Sequence, residues 1–217
     1  MTPNDANPFV TMRRAMVASQ LRTSGVTDAR LLEAMAQVPR EHFVPEPMRA
    51  SAYIDRPIEL GGGRALNPPL VTALLLEAAA IQSSDRVLIV GAATGYAPTV
   101  AAALAARVVA VECDARMAER ARESMIGIEL VEGPLAVGVP GHGPFDAIVV
   151  DGAIEQVPEA IVDQLAPHGR LAAALLDDGV TRLALGRKGG KGFAMVPFID
   201  AEAVLLPGFA LPRVFAF

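Results

Sequence analysis

The chain has 217 residues, 52% of them apolar and 20% charged, with a formal net charge of −5. That length supports one sizeable core, the apolar share excludes a disordered chain, and no apolar run reaches the roughly 18–20 residues of a membrane-spanning helix. The acidic balance argues against a nucleic-acid partner, and a single cysteine, Cys113, excludes an internal disulfide and a cysteine-based zinc site.

In chain order, the first third reads as helical. One helix is expected from about Phe9 to Arg22, closed by Gly25, and a second from Thr27-Asp28, whose side-chain oxygens can cap it, to Pro39. Pro39 to Pro69 holds six prolines and the run Gly61-Gly62-Gly63, and is expected to be a loop-rich connector. A helix resumes over Leu70 to Ile81. Buried strands are then predicted at Arg86–Val90, Val108–Glu112, Ile128–Val131, Phe145–Val150 and Arg170–Leu176. Helices are predicted between them at Tyr96–Ala106, Ala115–Ser124 and Pro158–Leu165. The runs Val180–Leu185 and Ala194–Phe198 are expected to add an antiparallel edge. The alternation predicts an α/β fold: a doubly wound, mostly parallel sheet with a helical N-terminal extension. We expect a single domain over 1–217, with residues 1–69 as the extension and 70–217 as the core. Met1-Thr2-Pro3-Asn4-Asp5 lacks the basic and apolar regions of a secretion signal, so the expected location is the cytoplasm.

In such sheets ligands bind at the carboxyl ends of the central strands. There the sequence reads Val90-Gly91-Ala92-Ala93-Thr94-Gly95-Tyr96, a glycine-bounded turn into a helix, and Glu112 ends the next strand about 20 residues on. An acid at that place can accept hydrogen bonds from both hydroxyls of an adenosine ribose, although an ordinary βα turn and a solvated acid remain open readings. The spacing is not Gly-x-Gly-x-x-Gly, which favours S-adenosylmethionine over a dinucleotide. His42, His142 and His168 lack metal-ligand spacing, so no metal site is expected. Arg13, Arg14, Arg22 and Arg30 read as a solvated basic helix face, Cys113 as a small buried filler, and the apolar stretch from Leu206 to Phe217 as packed on the domain or on a subunit contact.

Further segments carry a resemblance over nearly the whole length. They are Gln20-Leu21-Arg22 with Gly25-Val26, Val38-Pro39-Arg40-Glu41-His42-Phe43-Val44-Pro45, Ala52-Tyr53-Ile54-Asp55, Gly61-Gly62-Gly63, the turn at Gly91–Tyr96, Pro144-Phe145-Asp146-Ala147-Ile148 and Gly169-Arg170-Leu171. In these the chain resembles the protein-L-isoaspartate O-methyltransferase family. The resemblance implies the S-adenosylmethionine-dependent methyltransferase fold and methyl transfer from that cofactor to the free carboxylate of isoaspartyl residues in damaged proteins. It places the cofactor at Gly91, Ala93, Thr94, Gly95, Glu112, Cys113, Gly133 and Pro134, and puts Asn67 at the position of a substrate-contacting serine. Such a carboxylate, with an ordinary pKa near ~4, is already ionised at neutral pH and needs no general base or metal.

Four positions depart from the family pattern. Ile89 stands for an acid, Ala93 for the middle glycine of the turn, Gly133-Pro134-Leu135 for a Gly-Asp-Gly, and Leu66-Asn67-Pro68-Pro69 for an Ile-Ser-x-Pro loop. Each lost hydrogen bond to a polar cofactor group costs roughly 0.5–1.5 kcal/mol. The sequence therefore leaves open weak or altered activity, a non-catalytic relative that keeps the fold as a binding module, and a methyltransferase for another carboxylate.

Overall fold

A computed structural model describes residues 7–190 and 192–211. The N-terminal extension begins with α1 (Pro8–Met16), capped by the Asn7 side chain and prolonged through a π turn and a 3₁₀ turn to Gly25, whose φ is +94°. Helix α2 (Ala29–Gln37) starts on Asp28, whose carboxylate accepts the Arg30 N–H at 2.8 Å. The connector is not all loop. It folds into a hairpin of β1 (Ile58–Gly61) and β2 (Arg64–Leu66), because Gly61, Gly62 and Gly63 all take the positive φ that a tight reversal demands.

The core then follows as α3 (Pro69–Ala79), β3 (Arg86–Val90), α4 (Tyr96–Ala102), β4 (Arg107–Glu112), α5 (Ala115–Ser124), β5 (Glu129–Glu132), β6 (Phe145–Ile154), α6 (Glu159–Val162), β7 (Leu165–Asp177), β8 (Val180–Gly189) and β9 (Gly192–Asp200). Seven strands form one sheet in the order β5-β4-β3-β6-β7-β8-β9; β3 to β7 are parallel, and β8 and β9 are antiparallel. Several elements differ from the sequence reading: α4 stops at Ala102 and not at Ala106, β7 begins at Leu165 and not at Arg170, and β8 and β9 run longer than expected. Helix α6 is a single turn, because the chain bends at Gln164, whose side-chain amide bonds Ala160 O, Val137 O and Val139 N instead of continuing the helix. Strand β6 runs four residues past Val150, so Asp151 lies within it.

Strand alternation divides the core into two apolar layers. Val87 and Ile89 face the layer that holds Met16, Leu31, Met35 and Leu75 of the N-terminal helices and α3. Leu88 and Val90 face the layer that holds Leu135, Ile161, Leu206 and Phe209. The tail therefore packs on the domain as far as it is described; residues 212–217 lie outside the described part. Among the described residues no helix is long and apolar enough to cross a membrane.

Candidate cofactor cleft

Strand order reverses on either side of β3, which lies between β4 and β6, and the crevice at a switch point of this kind is where open α/β sheets bind ligands. The turn leaving β3 is built from backbone conformations that side chains resist. Gly91, Ala93 and Gly95 have φ of +84°, +48° and +100°. The Gly91 and Ala92 N–H groups both donate to Val111 O, at 3.0 and 3.1 Å, which ties the turn to the end of β4. A Cβ on Gly95 would meet Met125 Cγ at 2.7 Å, so this glycine is needed for the close approach of α4 to α5. Thr94 is buried, its hydroxyl donating to Phe43 O.

Glu112 stands at the end of β4 and is fully buried. Its carboxylate is taken up inside the protein. Arg64, on β2, donates from Nη1 to Oε1 at 2.6 Å and from Nη2 to Oε2 at 3.0 Å. The Ala93 N–H donates to Oε2 at 2.7 Å, and the Cys113 and Asp114 N–H groups donate to Oε1 at 2.9 and 3.0 Å. The hairpin thus carries a cation onto the acid expected to face a ribose. The sequence reading did not single out Arg64. Its signal was the position next to the three-glycine turn, in a stretch otherwise apolar up to Asn67.

The segment after β9 crosses the same crevice. Ala153 N–H donates to Val204 O at 2.7 Å, and Leu206 N–H returns to Ala153 O at 2.9 Å, so the segment pairs with the carboxyl end of β6. The Leu206 side chain lies on the two glycines that border the crevice. A Cβ on Gly91 would stand 3.0 Å from Leu206 Cδ1, and one on Gly152 would stand 2.5 Å from Leu206 Cγ. Phe209 is 1% exposed in the apolar layer below. Two shallow depressions remain on either side of Pro207, one reaching Gly62 and Arg64 and the other reaching Gly133 and Pro134, with Cys113 on the rim of both.

Pro134 is itself exposed, and the Gly133 N–H donates to Glu112 O at 2.9 Å. Cys113 is exposed, which corrects its reading as a buried filler; partial burial and the neighbouring Glu112 charge push its thiol pKa up. Ile89 is fully buried against apolar side chains, where an acid would be desolvated.

On the substrate side, Asn67 is 2% exposed and bridges two elements. Its Nδ2 donates to Asp151 Oδ1 at 2.9 Å, and its Oδ1 accepts the Val204 N–H at 2.8 Å. Thr72 Oγ1 also donates to Asp151 Oδ1, at 3.0 Å. Burial raises the Asp151 pKa, against the lowering effect of these hydrogen bonds and of Arg40 and Arg64. Arg40 is fully buried, donates to Ala52 O and Asn67 O, and lies 4.6 Å over the Tyr96 ring. The structure thus draws Asn67, Gly91, Ala93 and Glu112 together around the segment after β9. The basic face is a partial correction: Arg13 is buried, bonded to Tyr53 Oη, Gln37 O and Glu41, whereas Arg22 and Arg30 are exposed. Among the described residues no three of His, Cys, Asp and Glu come together as metal ligands would.

Comparison with known proteins identifies the family. The family model described as protein-L-isoaspartate(D-aspartate) O-methyltransferase matches residues 12–196. The chain belongs to this family. A protein-L-isoaspartate O-methyltransferase of Methanoculleus marisnigri is 41% identical over 174 residues, covering 78% of this chain and 79% of the relative. Protein-L-isoaspartate O-methyltransferase 2 of Marinobacter nauticus is 38% identical over 213 residues, 94% of this chain and 96% of the relative. A solved protein-L-isoaspartate O-methyltransferase shares the fold at a TM-score of 0.77 and 24% identity, over 90% of this chain and 66% of that one. A second, from Plasmodium falciparum in complex with S-adenosyl-L-homocysteine, aligns at 0.74 and 20% identity, over 91% and 97%. The isoaspartyl methyltransferase family uses S-adenosylmethionine. In this structure the Leu206 side chain lies against Gly91 of the turn, and Arg64 is paired with the Glu112 carboxylate.

Proposed function

We propose that the chain methylates the free carboxylate of isoaspartyl residues in proteins, as a cytoplasmic repair enzyme. The observation that carries this reading is the family match across 12–196, on a sheet whose order reverses at the Gly91–Gly95 turn. When bound, S-adenosylmethionine supplies an electrophilic methyl group on a sulfonium. Gly91, Ala93, Thr94 and Gly95 would hold it at the turn, with Glu112 and Cys113 toward its ribose and Gly133 and Pro134 toward its adenine. Asn67 takes the place of the carboxylate-positioning residue, since its amide nitrogen donates as a hydroxyl does. The accepting carboxylate is already ionised at neutral pH, so the chain has no proton to remove. Its contribution is to align acceptor and methyl and to keep water out.

The test is incorporation of labelled methyl groups into a peptide containing isoaspartate and into its ordinary aspartyl isomer. Incorporation confined to the isoaspartyl peptide is expected. With the cofactor bound, incorporation into neither peptide would transfer the reading to another carboxylate.

A further inference from the structure

We propose that Val204–Phe209 is a built-in occupant of the cofactor cleft, and that S-adenosyl ligands reach the Gly91–Gly95 turn only when it leaves. The proposal rests on the methyltransferase reading above. Three independent contacts place the segment there. Its backbone pairs with Ala153 at the end of β6, through the Ala153 N–H to Val204 O and the Leu206 N–H to Ala153 O. Its Leu206 side chain occupies the room left by two residues without Cβ, Gly91 of the cofactor turn and Gly152 of β6. Its Val204 N–H is held at 2.8 Å by Asn67 Oδ1, the side chain at the substrate-contacting position. One short stretch of chain therefore engages the positions expected for the cofactor and those expected for the acceptor.

The attachment is suited to release. Leu205 is 53% exposed, and Pro207 and Gly208 are exposed, so water already reaches one side of the segment. Its hold on the cleft consists of the two backbone bonds to Ala153, the Asn67 bond to the Val204 N–H, and the side chains of Leu206 and Phe209, outside the seven-stranded sheet. Gly208, at φ +88°, supplies a pivot between those two anchors. Displacement can uncover the turn with every strand still paired.

S-adenosylhomocysteine serves as the probe, with two readouts on the full chain. In the unaltered protein, amide hydrogen exchange at Val204 and Leu206 is expected to rise at least tenfold at saturating ligand. By calorimetry, Leu206→Ala is expected to bind at least tenfold more tightly than the parent, and Leu205→Ala, altered only at its exposed neighbour, like the parent. Binding by Leu206→Ala where the parent shows none also supports the proposal. Saturation of the parent with both amides still protected would overturn the occupant and leave the methyltransferase reading standing. Failure of the parent and of a folded Leu206→Ala to bind up to millimolar ligand would overturn both. The exchange measurement decides the matter if the variant does not fold.

Discussion

At the scale of single residues, the cleft holds two side chains under opposing demands. Ala93 sits at φ +48°, where an L side chain is disfavoured by roughly 1–2 kcal/mol. Ala93→Gly removes that cost but gives the unfolded chain more freedom, worth about 0.4–1 kcal/mol. We predict a net gain of about 0.5–1 kcal/mol, seen in thermal unfolding as a midpoint raised by about 1–4 °C. Asp151 is the second. Burial raises its folded pKa above the ordinary 3.8, so the native state favours the neutral carboxyl. The stability this brings is complete below the unfolded pKa and is lost as pH rises through the raised folded value. Asp151→Asn keeps an oxygen that can accept from Asn67 and Thr72 and removes the titration. Urea unfolding across a pH series should therefore show the parent losing stability relative to the variant as pH climbs from about 4 toward neutrality.

At the scale of elements, the parts of the N-terminal extension are held to one another by a buried polar cluster as well as by apolar packing. Arg13 of α1 donates to Glu41 Oε1 and Tyr53 Oη, at 2.9 and 2.8 Å, and the Tyr53 hydroxyl donates to Glu41 Oε2. Burial, reinforced by the bond to Glu41, pushes the Tyr53 hydroxyl pKa far above its usual value, so it remains a donor at any physiological pH. Arg13→Ala leaves the Glu41 carboxylate buried without its cation, a change that costs about 3–5 kcal/mol. Chemical denaturation should record that loss. The elements themselves were largely legible in the sequence. α5 and β3 have the expected bounds, because α5 joins helical periodicity to the Asp114 cap and β3 is an unbroken apolar run ended by Gly91. The β1–β2 hairpin was not legible: its strands are four and three residues long, too short for alternation to register, and prolines surround it. The candidate site was legible as a place and not as an arrangement. Gly91, Gly95 and Glu112 announced themselves by local spacing, whereas Arg64 reaches Glu112 across 48 residues and Val204 reaches Asn67 across 137. Pairings at such separations come from topology, which no local pattern encodes.

At the scale of the whole molecule, the sheet carries two apolar layers of different make-up. One is filled by the N-terminal helices, α3 and α4, and the other partly by the segment that follows the last strand. Phe209 is 1% exposed in the second layer, with Val90, Val111 and Ile154. Truncating a buried phenylalanine to alanine costs about 3–5 kcal/mol. Phe209→Ala should lower the denaturant midpoint accordingly, with one cooperative transition, since the layer it leaves is continuous with the strands.

The segment that covers the cleft lies beyond β9 in the chain, so no strand of the sheet relies on it for its connection to the next. The residues over the crevice can therefore change without breaking any strand-to-strand link, whereas the Gly91–Gly95 turn and the Arg64–Glu112 pair are built from inside the fold.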